Sequence, residues 1–175
     1  LILTGFLCIA SIYLLFHYRS EAKKNKKIFE NLILAQEKKS TVKNQKSKEI
    51  SIKDEKVEQV LKRLEKIEAQ AYYLDSSCSL ATMAKKAKTN TTYLTQIIKQ
   101  YKEKTFYQYL NELRINYTID RLKTDTQFRK YAIKHIALDV GYKSPESFTK
   151  HFKKATGIYP SYYIKELEKR TENNT

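Results

Sequence analysis

The chain has 175 residues and a formal net charge of +15, from 34 Lys+Arg against 19 Asp+Glu. That length holds one domain of ordinary size with appendages, and that charge calls for an acidic partner, nucleic acid first and an anionic membrane second. With three Gly, two Pro and no β-alternating runs, a sheet is not expected and long helices are.

Cys8 and Cys78 sit in unlike surroundings, with no CxxC motif and no His cluster, so neither a metal site nor a cysteine framework is expected. His17, His135 and His151 are scattered and lack a nucleophile–base–orienter set. An enzyme is therefore not expected, and no cofactor is called for.

Leu1–Phe16 (LILTGFLCIASIYLLF) is uncharged and apolar, and His17-Tyr18-Arg19 closes it. At about 1.5 Å per residue the run falls a little short of a hydrocarbon core of roughly 30 Å. The sequence begins at Leu rather than Met, so it reads as an N-terminally truncated fragment whose upstream residues would complete the span. A transmembrane helix is expected over residues 1–18. A signal peptide and a buried soluble helix are the rivals, although no small-residue cleavage site or basic leader is in view. Arg19, Lys23, Lys24, Lys26 and Lys27 come directly after it, and positive flanks stay cytoplasmic. A single-pass protein of the cytoplasmic membrane is expected, with the remainder of the chain in the cytoplasm.

Residues 19–55 read as a basic polar linker. From Arg19 to Lys56 there are twelve basic and six acidic residues. Ile28, Phe29, Leu32 and Ile33 make a brief helical stripe, and Thr41–Lys48 (TVKNQKSK) reads as flexible. The lysines suit anionic headgroups, or equally a solvated spacer. Residues 56–71 form a connecting amphipathic helix with Val57, Val60, Leu61, Leu64 and Ile67 on one face. That face covers too few heptads for a coiled coil, so it is expected to pack on the domain C-terminal to it.

Residues 72–170 form the compact domain, and 171–175 a tail. Within it Ile136–Tyr163 reads as helix, turn, helix and the start of a third helix. Ala137 permits close approach and Gly141 a positive φ. Ser144-Pro145 starts the second helix, Phe148 and Phe152 face inward, and Thr156-Gly157 ends it. The same grammar occurs upstream in SLATMAKKAKTNTTYLTQIIKQY (Ser79–Tyr101). Ala84 aligns with Ala137, Lys88 with Gly141, Leu94 with Phe148 and Ile98 with Phe152. The offset is 53 residues before the turn and 54 after it, and Asn90 takes the role of Ser144. The first helix-turn-helix spans about 80–101, the second about 132–154. Between them the helix 105–123 is apolar on two faces. Phe106, Tyr109, Leu110, Leu113 and Tyr117 line one, and Ile115, Ile119 and Leu122 the other. Such a helix can touch both units and hold two recognition helices at the spacing of successive major-groove segments, roughly 34 Å.

IALDVGYKSPESFTKHFKKATGIYPSYY closely resembles the signature of the AraC/XylS family of bacterial transcription regulators. YLTQIIKQYKEKTFYQYLNELRI resembles that family's first motif and linker helix. The resemblance covers about residues 72–169. An apolar segment ahead of such a domain is similar to a membrane-anchored subgroup seen in Bacteroidetes, whose upstream part is often a tetratricopeptide sensor. The fold implied is all-α, two helix-turn-helix subdomains joined by a long linker helix, behind a transmembrane helix and a polar helical linker.

The function implied is a sequence-specific regulator bound to double-stranded promoter or operator DNA. A homodimer and RNA polymerase are the further partners it admits. By position Thr92, Thr95 and Gln96, with Thr91 beside them, would face bases from the first unit. Glu146, Ser147 and Lys150 would do so from the second. Lys99, Lys153 and Lys154 suit phosphates, Lys150 suits guanine O6/N7, and Glu146 suits cytosine N4. Lys88-Thr89 departs from the family's usual Gly and aromatic. If that turn needs positive φ, Lys88 carries a cost of about 1 kcal/mol. The alternative is a basic membrane-surface or protein-interaction module without sequence-specific DNA binding.

Overall fold

The computed structural model describes the backbone of residues 2–42 and 55–172, and the side chains of 13–15, 17–35 and 55–172. Among the described residues every regular element is helical, as the scarcity of Gly, Pro and alternating runs implies. The elements are α1 (Ile2–Val42), α2 (Glu55–Ala69), a 3-10 turn (Tyr72–Leu74), α3 (Leu80–Lys86), α4 (Thr91–Lys102), α5 (Phe106–Thr124), α6 (Thr126–Arg129), α7 (Ile133–Asp139), α8 (Pro145–Thr156) and α9 (Pro160–Glu172). They fall into two compact units, residues 47–155 and residues 1–46 with 156–175.

In the unit 47–155 the first half is one apolar core. Val60, Leu64 and Ile67 of α2 are buried with Met83, Ala84 and Ala87, with Leu94, Ile97 and Ile98 of α4, and with Phe106, Tyr109 and Leu110 of α5. The Val57–Ile67 stripe is thus used inside this unit. The Tyr109 hydroxyl donates to the Glu68 carboxylate, which fastens α5 to α2. Thr105 caps α5, accepting from the Gln108 amide, while the Gln108 side chain accepts from the Thr105 amide at 2.9 Å. The reciprocal bonds satisfy two donors that a helix start leaves open.

The far half of α5 turns Ile115, Ile119 and Leu122 inward, so the second apolar face is also buried. Arg121 pairs with Asp139 of α7 and with Asp125. Arg129 is buried and donates from Nε to the Leu122 carbonyl at 2.5 Å and from Nη2 to the Lys123 carbonyl at 2.6 Å. It thereby serves carbonyls that the end of α5 cannot pair within the helix. The short α6, capped by Asp125 accepting from the Phe128 amide at 2.9 Å, is an addition to the expected elements. Four residues carry no readable periodicity.

In the other unit α1 and α9 pack together. Phe29 and Tyr163 are fully buried and meet edge to face, with ring centroids 5.2 Å apart. Arg170 lies over the Phe29 ring at 5.5 Å and pairs with Glu30. The Tyr162 hydroxyl donates to the Ala22 carbonyl at 3.2 Å.

The apolar run does not end as a separate helix at residue 18. α1 continues through the lysines to Val42, because no Gly or Pro interrupts it after Gly5. Among the described residues no helix is long and apolar enough to cross a membrane. The side chains of residues 1–12, Cys8 among them, lie outside the described residues. So does the backbone of 43–54, with most of the expected flexible stretch Thr41–Lys48.

Candidate nucleic-acid interface

The turns of the two repeats reproduce each other bond by bond, although α3 starts on a Ser79–Thr82 capping box and α7 on Ala132 with no side-chain cap. In the first, the Lys88 amide donates to the Lys85 carbonyl at 3.1 Å and the Thr89 amide to the Ala84 carbonyl at 2.9 Å. In the second, the Gly141 amide donates to Leu138 at 3.1 Å and the Tyr142 amide to Ala137 at 2.9 Å. These bonds are 53 residues apart in sequence, as are the positive φ values of Lys88 (+53°) and Gly141 (+86°). Past the turn the offset becomes 54. The Asn90 side chain accepts from the Tyr93 amide at 2.8 Å, and the Ser144 hydroxyl accepts from the Ser147 amide at 3.2 Å. A left-handed residue followed by an N-cap closes each α3–α4 and α7–α8 corner.

Burial keeps the same register. Ala84, Ala87, Leu94 and Ile98 are buried in the first repeat, and Ala137, Val140, Phe148 and Phe152 in the second. Tyr142 and Phe148 meet at 5.5 Å, and Phe148 and Phe152 at 5.6 Å. With these residues inward, the opposite faces of α4 and α8 lie outward. Thr91, Thr92, Thr95, Gln96 and Lys99 are all exposed on α4. Thr92, Thr95, Gln96 and Lys99 stand at spacings of three, four and seven, which is one helix face. On α8, Glu146, Lys150, Lys153 and Lys154 are exposed and Ser147 is half-buried. These five also share a face.

Each outward face has a defined chemistry. The Thr95 hydroxyl donates to the Thr91 carbonyl at 2.8 Å, so Thr95 presents its methyl group and lone pairs. Gln96 offers an amide with both donor and acceptor. The face of α8 carries one carboxylate, one hydroxyl and three ammonium groups. His151, half-buried against the Tyr142 ring at 5.9 Å, is held below its ordinary value by burial, with Lys150 and Lys154 adding to the effect. It adds no charge to this face at neutral pH. Lys143, exposed in the second turn, borders the same surface and was not among the expected contact residues. Its signal in the sequence is weak, since a lysine in a turn is the ordinary case.

Two other residues escaped the sequence reading. Arg129 was invisible because a side chain that reaches back to the end of the preceding helix follows no set sequence pattern. Arg114, buried at 7% exposure in the middle of α5, looks in sequence like a solvated position. It lies between the two apolar faces, where periodicity has nothing to say.

These features define a double helix-turn-helix domain with two outward, polar-to-basic second helices. Residues 83–166 match a family described as a helix-turn-helix domain. No curated protein matches the chain. Among solved structures it is similar to the C-terminal domain of AraT, a response regulator from Geobacillus stearothermophilus. Identity there is 26%, over 62% of this chain and 84% of that one, with a TM-score of 0.53. The C-terminal domain of the two-component response regulator yesN from Fusobacterium nucleatum is 25% identical, over 59% and 96% of the two chains, with a TM-score of 0.52. The DNA-binding domain of AdpA, solved in complex with a target DNA, shares the fold at 20% identity, over 67% and 96%, with a TM-score of 0.51.

Residues 83–166 thus carry a helix-turn-helix domain, similar in fold to the C-terminal domains of solved response regulators.

Proposed function

We propose that this chain is a sequence-specific, DNA-binding transcription regulator that reads a duplex through α4 and α8 in successive major-groove segments. The observation that carries it is the duplicated corner geometry, which gives both second helices one buried face and one outward polar face. The likeness to regulator domains, one of them solved on DNA, supports the same reading. Thr92, Thr95 and Gln96, with Thr91 at their edge, address bases from α4. Glu146, Ser147 and Lys150 address bases from α8, while Lys99, Lys153 and Lys154 hold phosphates.

The test begins with a duplex selected from a random library by the full chain. Gln96→Ala combined with Lys150→Ala should cut the preference for that duplex over random DNA by about tenfold or more, since each good base contact is worth roughly 1–3 kcal/mol. An equal, small loss on both DNAs would contradict base reading and favour a purely basic surface.

The chain is further proposed to be tethered to the cytoplasmic membrane through residues 1–18, with the domain in the cytoplasm. Tyr13, Leu14, Leu15 and Tyr18 are exposed on α1 and lead directly into exposed Lys23, Lys24, Lys26 and Lys27. Interfacial tyrosines with cations next to them on the cytoplasmic flank are what a bilayer selects. After expression of the full chain, alkaline carbonate washing should leave it in the membrane pellet. Its release into the supernatant would contradict the tether.

A further inference from the structure

Arg114 is a buried charge whose hydrogen bonds go to main-chain carbonyls. Its Nε donates to the Tyr73 carbonyl at 2.7 Å and its Nη2 to the Asp75 carbonyl at 3.0 Å. Among the described residues it has no carboxylate within ion-pair distance. The Tyr73 carbonyl lies within the 3-10 turn and the Asp75 carbonyl at its C-cap, in the segment that leads into α3, the start of the first helix-turn-helix. The same guanidinium lies 5.4 Å from the centre of the Tyr142 ring, in the turn of the second.

That turn is pressed against the same segment. A Cβ placed on Gly141 would lie 2.5 Å from the Leu74 carbonyl oxygen and 2.9 Å from Arg114 Nη2. One planar fork on the linker helix therefore joins the segment entering the first repeat to the corner of the second. An uncompensated buried charge is costly, so the fork is satisfied only while all three pieces hold this arrangement. Lysine, a point donor on a flexible stem, cannot bond two carbonyls in the fixed geometry of a guanidinium.

We propose that Arg114 is a positioning residue that fixes the second helix-turn-helix relative to the first, and thereby sets the half-site spacing the chain accepts. The proposal rests on the reading of α4 and α8 as recognition helices. Arg114 touches no base in this account. It acts by holding Tyr73–Asp75 and Gly141-Tyr142 on either side of α5. Removing it should leave charge-based attraction to DNA intact and loosen only the register between the two contacts.

The test uses the full chain and a duplex it selects from a random library, together with the same duplex carrying five extra base pairs between the half-sites. Five pairs turn the second half-site to the opposite side of the helix, since a turn is roughly 10–10.5 base pairs. The wild-type chain should bind the lengthened duplex about tenfold or more weakly, on the scale of one or two mismatches. Arg114→Met should bring the two affinities within about threefold of each other while leaving the salt dependence on random DNA unchanged. Arg114→Lys should fall between them, and it carries the test if the methionine variant does not fold.

A variant that folds and keeps the wild-type ratio would overturn the role of Arg114 alone. A wild-type chain indifferent to the insertion would overturn the two-helix reading and this proposal with it.

Discussion

Lys88 sits at φ +53° with its side chain exposed, in the corner where the second repeat has a glycine. A side chain in that region of backbone space costs about 1–2 kcal/mol. Lys88→Gly should therefore raise stability by about 1 kcal/mol, read as a higher urea midpoint at unchanged slope. Gly141→Ala should do the reverse and more strongly, by about 2–4 kcal/mol. There the new atom meets the Leu74 carbonyl, a backbone group that cannot swing away. A positive φ at the Gly141 corner was legible from the sequence, and at Lys88 only as a condition carried over from its alignment with Gly141. The tightness of the second corner was not, because Leu74 is remote in sequence.

His151 yields a pH prediction. Burial, helped by Lys150 and Lys154, lowers it from the ordinary 6.5. Between that value and the lower folded-state value, the unfolded chain binds more protons. The associated stability is fully present above pH 6.5 and is lost as pH falls through the folded-state value. A melting-temperature profile of His151→Gln should lack that acid-side loss and approach the wild-type curve as the pH is lowered. Parallel curves over the same window would contradict it.

At the scale of elements, the brief stripe Ile28, Phe29, Leu32 and Ile33 was visible in the sequence, but its partner was not. Phe29 and Ile33 are buried, and Tyr163, Ile164 and Leu167 of α9 are buried in the same unit. Periodicity shows that a face is apolar and is silent on which of many apolar faces covers it. Phe29→Ala removes a fully buried ring from against Tyr163, a change that typically costs about 3–5 kcal/mol. Hydrogen exchange of the α9 amides should accelerate accordingly. Unchanged protection of α9 would mean that α1 does not support it. The linker helix shows the other limit. Its two apolar faces were read from spacing alone, and Phe106, Tyr109, Leu110, Ile115, Ile119 and Leu122 are all buried. Its polar anchors, Arg114 and the capping Arg129, act on main-chain carbonyls that no sequence pattern marks.

Over the whole molecule, charge and duplication together carry the functional reading. The net +15 pointed to an acidic partner without saying which. The duplication was detectable because both copies keep an alanine ahead of the corner, Ala84 and Ala137, and apolar residues at matching positions, and one set of hydrogen bonds onto those alanines now explains that pattern. With Lys99, Lys153 and Lys154 on phosphates, the slope of log affinity against log salt should be at least about −2.7, near 0.9 per phosphate neutralised. Replacing all three with Ala should flatten the slope by about that amount and weaken selected and random duplexes alike.

The central claim is that two recognition helices read one face of a duplex, and a hydroxyl-radical footprint of the full chain on its selected duplex tests it most directly. Two protected stretches separated by one helical turn, roughly 10–10.5 base pairs, are the predicted result, and a single stretch, or uniform protection along the DNA, would contradict it.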